Sequence, residues 1–283
     1  MLRVAALYDI HGNLPALEAV LEEVRQARVD AIMVGGDVLP GPMPGECLDL
    51  LKSSGIRTEF IHGNGESAAI EALRGGSLAQ VPEPFRPAIH WSAAQLPDEY
   101  ASLIAGWPLT TRLEIDGIGD TLFCHATPRN DTELITRLSP EERIRQVFDG
   151  VPSDLAVCGH THMQFDRTVG SLHIVNAGSV GMPFGEPGAF WLLLGPVVEL
   201  RRTTYDLGAA ASRIQASSFP GTADFAERIL NPPSEEQILA AYAKGDGREN
   251  QATGHGPQAT GHGPQATGHG PHATGHGPHA TGH

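Results

Sequence analysis

Cysteine, aromatic and charged residues are all scarce in this 283-residue chain, which contains 3 Cys, 6% aromatic and 18% charged residues. Three scattered cysteines are too few for a disulfide framework or a cysteine zinc site. No apolar run approaches the about 18 residues that a membrane span needs, and the N-terminal run meets Asp9 before a signal-peptide core could form. We therefore expect a soluble, cytoplasmic protein without a membrane partner.

Basic side chains are also few. The chain has 19 Lys and Arg against 33 Asp and Glu, so its formal net charge is −14. Such a surface repels an extended polyanion, and we do not expect a nucleic acid polymer as a partner.

The end of the chain lacks charge and bulky apolar groups altogether. From Gln251 the unit Gln-Ala-Thr-Gly-His-Gly-Pro recurs, and it carries seven of the 14 His. Because such a segment cannot offset its ordering entropy by burial, residues 246–283 are predicted to be a disordered tail rich in His and Gly. Weak binding of transition metals and an unselected repeat expansion both account for the repeat, and we favour expansion.

What remains is typical of an α/β protein. Apolar runs alternate with amphipathic stretches over residues 2–62, which predicts a βαβαβ unit with a mostly parallel sheet. Residues 66–106 predict a helical insertion, and residues 206–245 a C-terminal helical extension that packs on the core or on a neighbouring subunit of a homo-oligomer. Further strands are predicted at 112–117, 120–125, 154–159, 172–176, 189–194 and 197–205. Residues 1–205 would form the main domain.

Residue types that bind metals follow five of the predicted strands. These residues are Asp9, His11, Asp37, Asn64, His125, His160 and His162. In an extended segment, Asp9 and His11 would lie on the same side of the chain, as would His160 and His162. Carboxylate, imidazole and amide donors suit Mn, Fe, Zn, Co or Ni, and seven positions suit two ions that share a bridge. The positive charge of such a pair would attract a phosphate ester despite the acidic surface.

The order and context of these residues resemble the signature of calcineurin-like metallophosphoesterases. The matching segments are Asp9-Ile-His11-Gly-Asn, Gly36-Asp37, Gly63-Asn64, His125 and Gly159-His160-Thr-His162. The resemblance runs from residue 4 to about 205, and the small bacterial phosphodiesterases and phosphatases are most similar. It implies a two-sheet α/β sandwich flanked by helices.

The resemblance also implies roles for the individual ligands. Asp9, His11, Asp37 and His162 would hold the first metal. Asp37 would bridge to the second, which Asn64, His125 and His160 would complete. Asp37, Asn64 and His125 are the expected catalytic residues, and Mn is the expected metal in vitro. A hydroxide that bridges the ions would attack phosphorus.

One position departs from the family pattern. Many relatives have His after Gly-Asn, as the acid that protonates the leaving group, whereas this chain has Gly65. Either Glu66, His62 or His90 takes that role, or the leaving group departs unassisted. Glu66, Arg129 and Asn176 are the predicted substrate contacts.

Three functional hypotheses follow. The first is a dinuclear metal-dependent phosphoesterase that hydrolyses small phosphomonoesters or phosphodiesters. The second is a hydrolase of dinucleoside polyphosphates or cyclic nucleotides, which differs only in pocket shape. The third is a non-catalytic metal-binding scaffold with the same fold. A scaffold would be expected to lose ligands first, and this chain retains all seven.

Overall fold

The structure is a computed structural model that describes residues 2–248. The strands are β1 (Val4–Leu7), β2 (Ala31–Val34), β3 (Arg57–Phe60), β4 (Thr110–Ile115), β5 (Gly119–Cys124), β6 (Leu155–Cys158), β7 (Phe165–Val169), β8 (Leu172–Asn176), β9 (Ala189–Leu194) and β10 (Val198–Thr203). The helices are α1 (Leu14–Gln26), α2 (Pro44–Lys52), α3 (Asn64–Leu73), α4 (Arg86–Ala94), α5 (Asp98–Ile104), α6 (Glu141–Phe148), α7 (Leu207–Gln215), α8 (Thr222–Leu230) and α9 (Glu235–Tyr242), with a 3₁₀ turn at Glu83–Phe85. Of the predicted tail, residues 246–283, the part from 249 onward lies outside the described residues, whereas Asp246 is buried in the folded chain.

The strands form two mixed five-stranded sheets. The first has the order β10-β9-β1-β2-β3, in which β1, β2 and β3 are parallel. The second has the order β4-β5-β6-β8-β7, in which β5, β6 and β8 are parallel. Parallel strands end at the same edge of a sheet, so each sheet gathers the loops that follow its parallel strands at one edge.

Alternating burial explains why the two sheets pack face to face. In β1, Val4 and Ala6 belong to the core between the sheets, together with Phe123 and Val157 of the second sheet. Side chains alternate between the faces of a strand, so the intervening Ala5 instead contacts the helical layer on the outside. The fold is therefore a two-sheet sandwich flanked by helices, which confirms the predicted fold class.

Helices cover both outer faces. The predicted stripe of α1 is buried on the first sheet, and the Asn13 side chain caps the helix by accepting a hydrogen bond from the Ala16 N–H at 3.2 Å. Helices α7 and α8 belong to the same core through Ile214, Phe225 and Ile229. The C-terminal extension thus packs on its own chain.

Two elements of the fold were not predicted from the sequence. Helix α6 and strand β7 were assigned to no element, because each offers little apolar signal. Helix α6 buries Ile144, Val147 and Phe148 among charged residues, and β7 is an edge strand with only its end residues buried.

Among residues 2–248, no helix combines the length and apolar character that crossing a membrane requires.

Candidate metal centre

The seven predicted ligands lie at the carboxyl ends of five strands. Asp9 and His11 follow β1, Asp37 follows β2 and Asn64 follows β3. On the second sheet, His125 follows β5, while His160 and His162 follow β6. Since both sheets direct these strand ends to one side of the sandwich, residues distant in sequence converge there.

The local backbone differs from the expected one. Extended segments were expected around Asp9 and His11 and around His160 and His162, and this expectation is wrong. Their φ angles are 52°, 48°, 65° and 57°, and that of Asp37 is 54°. These five make up most of the non-glycine residues with positive φ in the described chain. Left-handed backbone is costly for such residues and is typical of functional sites, where the surrounding fold enforces it.

Asp9 lies at the middle of the cluster and has no exposed surface. Its Oδ2 accepts a hydrogen bond from the backbone N–H of His160 at 2.9 Å. Its Oδ1 is buried without a hydrogen bond from the described residues. Three imidazole Nε2 atoms surround that oxygen, those of His162 at 3.2 Å, His125 at 3.8 Å and His11 at 3.9 Å.

Asp37 occupies a position between two of the same histidines. Its Oδ2 lies 3.6 Å from Nε2 of His125 and 3.9 Å from Nε2 of His11. Its Oδ1 accepts a hydrogen bond from the N–H of Gly65 at 2.7 Å. One carboxylate oxygen is thus used to hold the side chain in place, and the other faces the cluster.

The donor atoms form two overlapping groups. One consists of Asp9, His11 and His162, and the other of Asp9, Asp37 and His125. In each group the candidate ligand atoms lie within 4.8 Å of one another. Ligands about 2.0–2.2 Å from one cation are about 3–3.5 Å apart, so the spacing is close to that of a metal site. An unpartnered buried carboxylate oxygen also fits a cation, because burial without a partner is costly.

Backbone carbonyls orient three of the imidazoles. Nδ1 of His11 lies 3.2 Å from the Pro40 oxygen, Nδ1 of His125 lies 2.9 Å from that of Gly35, and Nδ1 of His162 lies 2.7 Å from that of Met182. A ring nitrogen that donates to a carbonyl carries the proton, so Nε2 directs a lone pair into the cluster. This is the tautomer that a metal ligand requires.

Asn64 and His160 lie at the open side of the cluster. Both are half-buried. Oδ1 of Asn64 is 3.2 Å from Nε2 of His125, and the ring of His160 meets that of His125 edge-on at 5.1 Å. They complete the set of seven at one site.

The pKa values follow from burial and from the neighbouring charges. Burial, helped by His162, lowers the pKa of His11 to about 3. Burial also lowers the pKa of His160 to about 3, with a contribution from His125. Burial opposes ionisation of Asp9, but the surrounding imidazoles lower its pKa below the usual range.

The pKa values of two other groups, His162 and Asp37, are raised. Burial lowers the pKa of His162, but the Asp9 carboxylate outweighs it and the net pKa is raised. Burial and the Asp9 carboxylate together raise the pKa of Asp37 well above its usual value. Two buried carboxylates are unfavourable side by side, and a divalent cation would relieve this repulsion.

The prediction that Glu66 contacts substrate is wrong. Its fully buried carboxylate accepts hydrogen bonds from the N–H groups of Asp37 at 2.7 Å, Val38 at 2.8 Å, Leu39 at 3.2 Å and Gly63 at 2.8 Å. Both oxygens are therefore used to join the turn after β2 to the turn before α3. Glu66 positions ligands, and it is not placed to contact substrate or donate a proton.

Gly65 has a steric reason to be glycine. A Cβ built on it would lie 1.9 Å from the Leu39 carbonyl oxygen. The side chain that many relatives carry here has no room unless the loop after β2 moves.

The prediction that Asn176 contacts substrate is also wrong. It is fully buried, and its amide N–H donates to the Gly159 oxygen at 2.6 Å and to Thr161 Oγ1 at 3.1 Å. Its Oδ1 accepts from the N–H of Gly178 at 2.8 Å. These contacts fix the turn that precedes His160 and leave no group for substrate.

Arg129 and the two remaining histidines have other surroundings. Arg129 is exposed and forms an ion pair with Glu133, so its predicted phosphate contact stays a prediction. His90 is exposed on α4. His62 is half-buried, and its Nδ1 lies 3.2 Å from Ser67 Oγ and 3.4 Å from Asp131 Oδ2.

Some functional contacts were missed from sequence. The carbonyls of Gly35, Pro40 and Met182 orient ligands, but backbone contacts leave no side-chain signature. Ser179 supports the cluster by donating to the Asp9 carbonyl at 2.8 Å. Phe184 stacks on the His162 ring with the ring centroids 5.3 Å apart. No sequence motif around Phe184 indicated this contact.

Comparison with known proteins agrees with the family resemblance seen in the sequence. The family model of the calcineurin-like phosphoesterase superfamily domain matches residues 2–194. An uncharacterized protein of Methanocaldococcus jannaschii is 27% identical over 237 residues, which are 77% of this chain and 93% of that protein. A metallophosphoesterase from Sphaerobacter thermophilus is 26% identical, with a TM-score of 0.63 over 82% of this chain and 99% of that structure. A hypothetical protein from Pyrococcus horikoshii shares the fold at 18% identity, with a TM-score of 0.71 over 83% of this chain and 100% of that structure.

Proposed function

The chain belongs to the calcineurin-like phosphoesterase superfamily, and from this premise we propose that it is a phosphoric ester hydrolase with two divalent transition-metal ions. The observation that carries the proposal is the environment of Asp9. Its buried, unpartnered Oδ1 is surrounded by three imidazole nitrogens at 3.2–3.9 Å. That arrangement is hard to maintain without a cation among the four atoms.

The donor set indicates which ions would bind. Imidazole, carboxylate and amide groups favour Mn, Fe, Zn, Co or Ni, and we propose Mn for assays in vitro. Asp9, His11, Asp37 and His162 would hold the first ion, and Asn64, His125 and His160 would complete the second. Oδ2 of Asp37 faces histidines of both groups, at 3.6 Å and 3.9 Å, which supports its proposed role as the bridge.

When bound, such a pair of ions supplies a nucleophilic hydroxide at neutral pH and neutralises phosphoryl oxygens. The residues of the chain hold this geometry. Glu66 fixes the loops of Asp37 and Asn64, and backbone carbonyls fix the tautomers of His11, His125 and His162. Because these atoms are already ordered, little reorganisation is needed during the reaction.

Protonation of the leaving group is the weak part of this centre. Gly65 has no side chain that could donate a proton, and the oxygens of Glu66 are occupied by backbone N–H groups. His62 is the remaining candidate near the ligand Asn64. We propose that the enzyme favours esters with good leaving groups, such as aryl esters, and that its substrates are small.

The proposal is tested with full-length protein and Mn²⁺, using p-nitrophenyl phosphate, bis-p-nitrophenyl phosphate and a panel of nucleotides. We expect turnover that a chelator abolishes and Mn²⁺ restores. Asp37→Ala should reduce kcat at least a thousandfold with every substrate, because it removes an acidic ligand that the whole centre shares. Retained turnover in this variant would contradict the bridging role.

Metal analysis separates the enzyme from a non-catalytic scaffold. Because the sequence after Gln251 contains seven His, the informative quantity is the difference in bound metal between the wild type and Asp37→Ala. A loss of one to two ions per chain, together with turnover in the wild type, supports the enzyme. The same loss without turnover on any ester would favour the scaffold.

A further inference from the structure

The last described part of the chain, which we call the C-terminal segment (residues 233–248), lies beyond the range that the family model matches, since that range ends at residue 194. The segment consists of α9 and the residues on either side of it. It contacts two loops, which we call the first loop (residues 127–139) and the second loop (residues 181–186). Each loop is hydrogen-bonded to the stretch from His160 to His162, which carries two of the candidate ligands.

The second loop holds His162 by its ring and by its backbone. The Met182 carbonyl lies 2.7 Å from Nδ1 of His162, and the Phe184 N–H donates to the His162 carbonyl at 3.3 Å. The C-terminal segment joins this loop at the next residue, where the Gly185 N–H donates to the Pro233 carbonyl at 2.9 Å. One end of the segment is therefore bonded to the loop that orients a ligand.

The first loop reaches the same ligands through Thr161, which stands between His160 and His162. The buried Thr161 hydroxyl donates to the Ile135 carbonyl at 3.3 Å and accepts a hydrogen bond from the Asn176 amide at 3.1 Å. Both histidines have left-handed φ angles, which persist only where surrounding contacts enforce them. A shift of the Ile135 carbonyl would therefore disturb the turn that carries the two ligands.

Asp246 holds the first loop from the other end of the C-terminal segment. It has no exposed surface, and its Oδ2 accepts a hydrogen bond from Oγ1 of Thr136 at 2.8 Å, directly beside Ile135. Arg248 pairs with this carboxylate, and its Nε lies 2.8 Å from Oδ2 and 2.9 Å from Oδ1. Because a buried carboxylate is costly without such partners, the side chain has a defined position and fixes Thr136 with it.

The end of the first loop next to α6 has an anchor of its own. Nη1 of Arg167 donates to the Ser139 carbonyl at 2.8 Å, with a longer contact of 3.4 Å to the Thr136 carbonyl. The Thr136 N–H also donates to Oγ of Ser139 at 2.9 Å. Loss of the Asp246 carboxylate would therefore loosen the loop around Ile135 without unfolding it.

We propose that Asp246 is a positioning residue of the metal centre. It acts through Thr136 and the adjacent Ile135 carbonyl, which hold Thr161 between the two ligand histidines. This inference rests on the proposed function, because it takes those histidines as ligands of a divalent ion. Residues beyond the matched family domain therefore contribute to metal affinity, in the way that groups supporting the ligands of a metal site do.

The test compares full-length Asp246→Ala with the wild type and with Val24→Ala. Val24 is buried in the last turn of α1, a helix that starts beside the ligands and ends at the opposite edge of the first sheet. Its truncation lowers stability by leaving a cavity far from the centre, so it controls for a general loss of stability. The readouts are the Mn²⁺ dissociation constant by calorimetry, the melting temperature, and the exchange rate of the His160 amide hydrogen in metal-free protein. That amide donates to Oδ2 of Asp9 and so reports directly on the ligand turn.

Asp246→Ala should raise the Mn²⁺ dissociation constant about tenfold above that of Val24→Ala, the lower end of the effect expected when support for metal ligands is lost. It should also speed exchange of the His160 amide about tenfold relative to the same control, because the turn opens locally more often. The seven His after Gln251 are common to all variants, so their metal binding cancels in the comparison.

Two substitutions of Thr136 test the same hydrogen bond from its donor side, and they decide the question if Asp246→Ala does not fold. Thr136→Val keeps the shape but removes the hydroxyl, and it should reproduce the loss of affinity. Thr136→Ser keeps the hydroxyl and should bind Mn²⁺ within about twofold of the wild type. Asp246→Ala combined with Thr136→Val should bind Mn²⁺ about as Asp246→Ala does, since both remove one bond. Equal losses in Thr136→Ser and Thr136→Val would contradict the inference.

A Mn²⁺ dissociation constant or a His160 exchange rate in Asp246→Ala within about twofold of that in Val24→Ala would overturn the inference, because Asp246 would then contribute to stability alone. If the wild type binds Mn²⁺ but hydrolyses no ester, the proposed function fails, and the Mn²⁺ affinities still decide this inference. If the wild type binds no more Mn²⁺ than Asp37→Ala does, there is no metal centre to position and the inference fails as well.

Discussion

The Nε2 atoms of His11 and His162 face each other at 3.2 Å. Since each Nδ1 lies against a backbone carbonyl, these two nitrogens would present lone pairs to each other. Such a pair repels unless a proton or a metal ion lies between the two atoms. The Asp9 carboxylate raises the pKa of His162, so this ring holds a proton more readily than His11, whose pKa is lowered. The pair is therefore poised to exchange a proton for a divalent cation.

Metal binding should stabilise the folded protein. A ligand that binds only the native state at about 1,000 times its Kd adds about 4 kcal/mol, which corresponds to roughly 8–16 °C in Tm for a domain of this size. Calorimetry with Mn²⁺ and with a chelator measures the shift. His11→Ala should remove most of it. Equal Tm values with and without Mn²⁺ in the wild type would contradict a built metal site, because metal bound equally by the unfolded chain gives no stabilisation.

Replacement of Glu66 by Gln should destabilise the fold by about 2–4 kcal/mol. The amide offers one acceptor oxygen and turns its NH₂ toward backbone donors, so the two buried N–H groups that share the replaced oxygen lose their partner. Urea denaturation measures the change, with Glu22→Gln on the exposed face of α1 as the control. A difference from the control below about 0.5 kcal/mol would show that the four hydrogen bonds do not matter.

Gly65→Ala should lower stability by more than about 3 kcal/mol and reduce metal affinity, because the new Cβ would overlap the Leu39 carbonyl. Gly45→Ala in α2 is a matched control, since no atom lies within 4 Å of the Cβ built there. That substitution should be neutral or stabilising by up to about 1 kcal/mol. Similar stabilities for the two variants would refute the steric account of Gly65.

The imidazoles of His11 and His160 should be neutral in the metal-free protein at pH 5. Their pKa values are lowered to about 3, so at that pH only about one ring in a hundred is protonated. The neutral form is the one that the folded state favours, and protonation begins only as the pH falls toward 3. Imidazole ¹⁵N shifts, assigned with His11→Gln and His160→Gln, report the tautomer. Midpoints near 6.5 for these two rings would show that the burial argument fails.

The sequence predicted most of the elements that carry the site. Apolar runs ending at Asp9, Asp37 and Asn64 predicted a parallel sheet, and β1, β2 and β3 confirm it. The weak apolar signal of α6 and β7 left them unassigned. Local pattern could not reveal the left-handed backbone at His160 and His162, because contacts made across the fold enforce it.

The supporting residues were harder to predict than the ligands. Glu66 was interpreted as a substrate contact because it is an acidic residue next to Asn64. Its actual partners, the N–H groups of Asp37 and Val38, come from another part of the chain. Such roles depend on tertiary packing, which one sequence does not encode in a readable pattern.

The most direct test of the metal centre is anomalous diffraction at the manganese edge from crystals grown with Mn²⁺. We expect two peaks about 3.5–4 Å apart, with Asp37 contacting both and with Asp9, Asn64 and the four histidines completing the ligands. Crystals that show no anomalous peak among these side chains, although manganese is bound elsewhere in the protein, would contradict it.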